Sequence, residues 1–149
     1  MIRRPPRSTQ SRSSAASDVY KRQDVRNEEV DWDLYRRMIG QWRQVADSYL
    51  GDYYPLTPYS LDEKCWLAWQ FNRPEQGDGM VQAFRRKQTD ADSFQAKLHG
   101  LDPGTTYTVT DLDTSATIES TGRELMDRGV SIPVADEPGA ALLRYQRKQ

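Results

Sequence analysis

A chain of 149 residues sets a prior of one domain, large enough for a real core but too short for a large enzyme plus an accessory module. With 36% hydrophobic and 29% charged residues, no apolar run approaches the roughly 18–20 residues of a membrane-spanning helix. The formal net charge of −1 is uneven: residues 1–23 carry +5 and the remainder about −6, and a mildly acidic body lacks the concentrated positive charge that nucleic-acid backbones require.

Met1–Gln23 combines scattered arginines, Pro5-Pro6 and five serines with too few large apolar residues to anchor a fold, so it is expected to be disordered. No hydrophobic segment follows the arginines, which excludes a signal peptide, and no amphipathic stripe supports a mitochondrial leader. The string RRPPRSTQSRSSAASDVYKRQ resembles a translated sequencing-adapter read-through. That resemblance implies a non-native head and a native chain interrupted upstream of Asp24. The single cysteine, Cys65, excludes an intrachain disulfide and says little about redox compartment; the localisation is unknown from sequence, a soluble cytoplasmic setting being expected ahead of a secreted one.

Asp31 to Leu50 reads as one amphipathic helix. Trp32, Tyr35, Ile39, Trp42, Val45 or Ala46, and Tyr49 recur at steps of three and four. Asp31 is placed to cap it, Asp33 falls in the first turn, and Gly51 can supply a left-handed stop. So many aromatics need a partner, and two are open: the domain that follows, or a larger body that precedes. Asp52–Ser60 (DYYPLTPYS) carries Pro55 and Pro58, a spacing that neither a helix nor a central strand tolerates, so it reads as a rigid extended connector.

From Cys65 the period changes to two. Trp66, Ala68 and Gln70 alternate with Leu67, Trp69 and Phe71 in a strand apolar on both sides. Further strands are expected over Met80–Lys87, around Phe94–Leu98, and over Thr105–Leu112, Ala116–Ser120 and Val130–Val134. A closing strand follows with Ala141, Leu143 and Tyr145 on one face. A short helical turn fits Gly122–Asp127. The class is therefore all-β, an antiparallel Greek-key-like β-sandwich of about seven to eight strands preceded by one helix.

Chemistry is harder to find. No phosphate loop, HExxH, CxxC or GxSxG occurs. His99 is the only histidine and falls on the polar face of its strand, where it lacks partners for a metal site. Cys65, beside an apolar strand, is expected to be a buried structural thiol. Arg85, Arg86 and Lys87 alternate sides and read as solubilising surface. The 22 carboxylates fall mainly in turns or on the helix, and nothing marks a pair facing across a substrate as glycoside hydrolysis requires. No catalytic, cofactor-binding or metal-ligating residue is identified, and no cofactor is called for.

Four segments together resemble the C-terminal region of glycoside hydrolase family 36, the α-galactosidases and their relatives. They are GDYYPLTPYS (51–60), CWLAWQFNRPEQGDGMVQAFRRKQ (65–88), LHGLDPGTTYTVTDLD (98–113) with TGRELMDRGVSI (121–132), and PGAALLRY (138–145). The resemblance implies a parent with an N-terminal β-sandwich, a central (β/α)8 barrel and a C-terminal β-sandwich. Residues 24–50 would then be the last barrel helix, 51–60 the connector and 61–149 the C-terminal domain. The missing barrel would be the partner of Trp32, Tyr35, Trp42 and Tyr49, and of Tyr53 and Tyr54 in the connector. The family's retaining mechanism uses two barrel aspartates, and both fall upstream of this chain, which is therefore expected to be inactive alone. An α-galactoside would be substrate for the parent only, its sugar and linkage specificity open, and the resemblance leaves room for a homo-oligomeric parent. Two other readings stand beside it: a carbohydrate-binding module using Tyr53, Tyr54, Trp66 or Trp69 as stacking platforms, and a generic interaction domain.

Overall fold

The computed structural model describes residues 31–148. The adapter-like head therefore lies outside the described residues. The chain divides into two units between Arg37 and Met38.

Helix α1 spans Trp32–Val45. Asp31 caps it as its sequence position suggests: Oδ1 accepts from the backbone N–H of Asp33 at 3.1 Å and of Leu34 at 2.9 Å. Trp32 meets Tyr35 edge-to-face, their centroids 5.9 Å apart. The helix expected to run unbroken to Leu50 tightens instead into a 3-10 turn over Ala46–Leu50, after Val45 leaves helical geometry at φ −120° and ψ 0°. Gly51 is not the left-handed stop expected of it. Its backbone is extended (φ −88°, ψ −174°), and glycine is needed there because a Cβ would collide with the carbonyl of Asn72.

Eight strands follow: β1 (Asp52–Pro55), β2 (Leu67–Arg73), β3 (Asp78–Arg85), β4 (Ser93–Ala96), β5 (Thr106–Asp111), β6 (Thr117–Thr121), β7 (Val130–Pro133) and β8 (Gly139–Arg147), with helix α2 (Gly122–Asp127) between β6 and β7. Six form one sheet in the order β1-β2-β3-β8-β5-β6, while β4 and β7 form a second. All pairings are antiparallel. Of the segment read as a connector, Asp52–Pro55 pair with β2 as the edge strand of the sheet, and the residues after Pro55 continue as a loop. An edge is where proline can sit, because its missing N–H costs no ladder bond there.

The two sheets enclose one core. Ala68 of β2, Val81 and Ala83 of β3, Val109 of β5 and Ala141, Leu143 and Tyr145 of β8 meet Ala96, Leu98, Val130, Ile132 and Val134 from the smaller sheet and its flanks. Each set recurs with period two, which is why the inward-facing residues were readable from sequence. Leu125 of α2 closes one end. That helix is set by a capping box, in which Thr121 Oγ1 accepts from Glu124 N–H while the Glu124 carboxylate accepts from Thr121 N–H. These bonds, with those from the Thr121 and Ser120 hydroxyls, hold the Glu124 pKa below its ordinary value.

The outer face of the large sheet is covered in part by residues 38–50. Gln41, Val45 and Ser48 are buried on it, and Met80 of β3 is buried although it lies outside the main core. The Gln41 carboxamide ties the helix to the β5–β6 turn, donating to Leu112 O at 2.6 Å and Asp113 Oδ1 at 2.9 Å. The 3-10 turn packs against β2 and β3.

Candidate functional site

Among the sequence's candidate residues, the aromatics divide by strand geometry. Alternation along β2 sends Ala68, Gln70 and Asn72 inward and Trp69 and Phe71 outward. Trp66, just before the strand, packs against the core and stacks on Phe94 with centroids 5.6 Å apart, its indole N–H buried without a partner among the described residues. Trp69 lies across the sheet from it, tilted on Phe84 at 5.1 Å, with Nε1 donating to Gln82 Oε1 at 2.7 Å. Tyr54 stacks on His99 at 5.4 Å and 19°. Tyr53 is 56% exposed and tilts against Phe71 at 5.3 Å. Of the four proposed stacking platforms, Tyr53 and Trp69 thus share the outer face of the sheet, while Tyr54 and Trp66 lie on its inner side.

The outer face instead carries an aromatic patch. Tyr49 and Tyr53 both lean on Phe71, and the Tyr49 hydroxyl reaches Gln82 Oε1 at 3.3 Å, so Tyr49 and Trp69 converge on one carboxamide oxygen. Beside it the helix presents Met38 and Trp42, each 50% exposed. Of the residues buried on the sheet, Gln41, Val45 and Ser48, only Val45 belongs to the aromatic stripe predicted in the sequence, while Trp42 and Tyr49 of that stripe stay exposed. Nine of the ten large hydrophobic side chains exposed among the described residues lie between Trp32 and Leu61; the tenth is Ile118.

Polar chemistry is spent on holding the fold. Gln70 and Asn72, inward-facing on β2, are buried against Tyr145 of β8. Gln70 Nε2 donates to Tyr145 Oη at 2.8 Å and to His99 O at 2.9 Å, while its Oε1 accepts from His99 N at 2.8 Å. The Tyr145 hydroxyl donates to Asn72 Oδ1 at 2.8 Å, and Asn72 Nδ2 donates to Gly100 O at 3.0 Å. The loop so held turns through Gly100 at φ +69°, a left-handed conformation suited to glycine. Burial drives the Tyr145 phenol pKa well upward, the bond from Gln70 opposing it.

Two residues read as surface or core exchange roles. Arg85, expected to be solubilising, is buried: its guanidinium donates to Thr89 O at 3.1 Å, Val134 O at 3.0 Å and Ala135 O at 2.9 Å, with Glu137 Oε2 at 3.4 Å. Arg86 is half-buried, with its side chain donating to Asp62 O, and Lys87 is exposed. Cys65, expected to be buried, is exposed, because it closes the turn before β2 (N–H to Asp62 O, 3.3 Å) and not the strand itself. His99 is exposed, but it lies in the loop after β4 and not on the polar face of a strand as expected, and its backbone is held by Gln70. Arg73 pairs bidentately with Asp78 at 2.7 and 2.6 Å across the end of the β2–β3 hairpin, and that hydrogen-bonded contact raises its pKa.

The described residues thus form an antiparallel β-sandwich with aromatic side chains on its outer face and a buried polar staple in its core. Residues 66–144, just over half of the chain, match the glycosyl hydrolase family 36 C-terminal domain. The chain belongs to that family. Similar solved structures include the galactosidase domain of the alpha-galactosidase–sucrose kinase AgaSK, at 22% identity and TM-score 0.60, covering 76% of this chain and 15% of that one. The α-galactosidase AgaA from Geobacillus stearothermophilus matches at 19% identity and TM-score 0.57, covering 94% of this chain and 17% of its own. The α-galactosidase from Lactobacillus brevis matches at 18% and 0.55, covering 93% and 17%. At these identities the likeness is one of fold, and the chain spans only about one-sixth of each relative's length. A comparison with curated protein sequences finds no match.

Proposed function

We propose that this chain is the non-catalytic C-terminal domain of an α-galactosidase-like retaining glycosidase, and that its role is to stabilise the catalytic barrel of the parent. In this reading the parent hydrolyses terminal α-galactosides with two aspartates carried upstream, and no residue here touches substrate. The observation that carries it is that nine of the ten exposed large hydrophobics among the described residues fall between Trp32 and Leu61. Scattered apolar side chains are normal on a protein surface, but a concentration of them signals a partner. The family match and the much longer fold relatives point to preceding chain as that partner. Trp32, Tyr35, Trp42, Tyr49 and Tyr53 would make the contact. Tyr54, on the other side of β1, would hold that strand in place through its stack on His99.

The test is an activity assay. Purified chain should show no turnover of nitrophenyl α-galactoside above a mock-purified control. Turnover that survives further purification would overturn the reading.

A further inference from the structure

The 56–66 loop is long, yet it is fastened at both ends. Leu56 N–H donates to Ala68 O at 2.9 Å and Thr57 Oγ1 accepts from Ala68 N–H at 3.1 Å. At the other end Arg86 donates to Asp62 O at 2.8 Å, and Gln88 N–H and the Thr89 hydroxyl donate to Glu63 O at 3.2 and 3.3 Å. Between these anchors Tyr59 and Leu61 stand 87% and 81% exposed. Large apolar side chains on an unanchored loop could fold back onto their own domain. Here the backbone hydrogen bonds hold them out, at the cost of leaving apolar area in water.

From this geometry we infer that the 56–66 loop is a second docking arm, in which Tyr59 and Leu61 insert into an apolar surface of the catalytic body preceding this domain in the parent chain. The inference rests on the proposed function and extends its contact beyond the helix and β1. The occupant is preceding chain because the family 36 fold relatives carry about five-sixths of their length outside the matched region. Tyr59 and Leu61 also continue in sequence from Met38, Trp42, Tyr49 and Tyr53, whereas Ile118 on β6 stands apart. The two arms would grip the body from α1 and from the loop, leaving the β6 edge free.

Hydroxyl-radical footprinting with peptide-resolved mass spectrometry tests this without any substitution. The chain is oxidised alone and as the C-terminal part of the continuous polypeptide encoded with its catalytic body. Oxidation of Tyr59, Leu61 and Trp42 should each fall several-fold in the long form while that of Ile118 stays constant. Protection of Trp42 without protection of Tyr59 and Leu61 would overturn the second arm and leave the docking reading standing. No protection at any of the three would overturn both. Equal protection at Ile118 would also sink the inference, because the contact would then not be directed to this side.

Discussion

The side chain of Gln70 pairs with the backbone of His99 through both of its polar atoms, at 2.9 and 2.8 Å, much as one strand pairs with another. A residue from the middle of the large sheet thereby completes the hydrogen bonding of a loop 29 positions away. The same amide also serves Tyr145, so three buried groups depend on one carboxamide.

Replacing Gln70 by Leu keeps the volume and removes every one of these bonds. His99 N–H, His99 C=O and the Tyr145 hydroxyl would each lose a partner, and stranding buried polar groups costs about 1–3 kcal/mol apiece before relaxation. Urea unfolding of Gln70→Leu should show a loss of about 2–4 kcal/mol, with part of the penalty recovered by water reaching the exposed His99 end. A loss under about 0.5 kcal/mol, the ordinary scale of an innocuous surface change, would contradict this account.

Tyr145 makes a pH prediction. Its folded pKa is raised above the ordinary phenol value of 10.0, chiefly by burial, so the folded state holds the phenolic proton more tightly than the unfolded state does. The contribution is therefore complete below the unfolded pKa and is lost as pH rises from there towards the folded one. Stability should decline above about pH 10, and Tyr145→Phe should flatten that limb while lowering stability at neutral pH by about 1 kcal/mol through the lost bonds. Denaturation followed from pH 8 to 11 checks both effects, and an unchanged alkaline limb in the variant would refute the assignment.

Arg85→Met should be far costlier than its place in a basic triplet suggests. The guanidinium joins the loop after β3 to the segment before β8 by way of carbonyls at Thr89, Val134 and Ala135. Those carbonyls have no other donor of equal reach, so a loss of about 2–4 kcal/mol is expected in chemical denaturation. Lys87→Met, two residues on and exposed, should stay within about 0.5 kcal/mol of the parent.

Gly40 offers the opposite sign. It lies in the interior of α1, is exposed, and a Cβ there would meet nothing within 4 Å. Gly40→Ala should stabilise the helix by about 0.5–1 kcal/mol, measurable as a higher unfolding midpoint. A lower midpoint would mean that this face of α1 is covered.

What was legible in the sequence was what depends on local periodicity. Alternation put Ala141, Leu143 and Tyr145 on one face of β8, and all three are buried. Alternation also put Gln70 on the same side as Ala68, but gave no hint that its partners lie on the loop after β4. Arg85 was misread for the same reason: its acceptors at Val134 and Ala135 are about fifty residues away. Cys65 was read as bordering an apolar strand and therefore as buried, but the strand begins two residues later and Cys65 lies exposed in the turn before it. The proposed docking surface was half legible. The helical stripe marked Trp42 and Tyr49, but Tyr59 and Leu61 belong to no periodic element, and only the anchored loop shows that they are held outward.

The strand order of the large sheet bears on how the domain is made. β8 lies between β3 and β5, so the two halves of the sheet, β1-β2-β3 and β5-β6, have no hydrogen bonds in common until it is in place. On a ribosome, β3 would emerge and wait for some sixty residues before its neighbour was synthesised, its inner edge unpaired. Closing such distant pairs is intrinsically slow, and unpaired edges invite association with other chains. The nascent domain therefore passes its most aggregation-prone interval just before synthesis of β8, and an already folded upstream body would be well placed to shelter it.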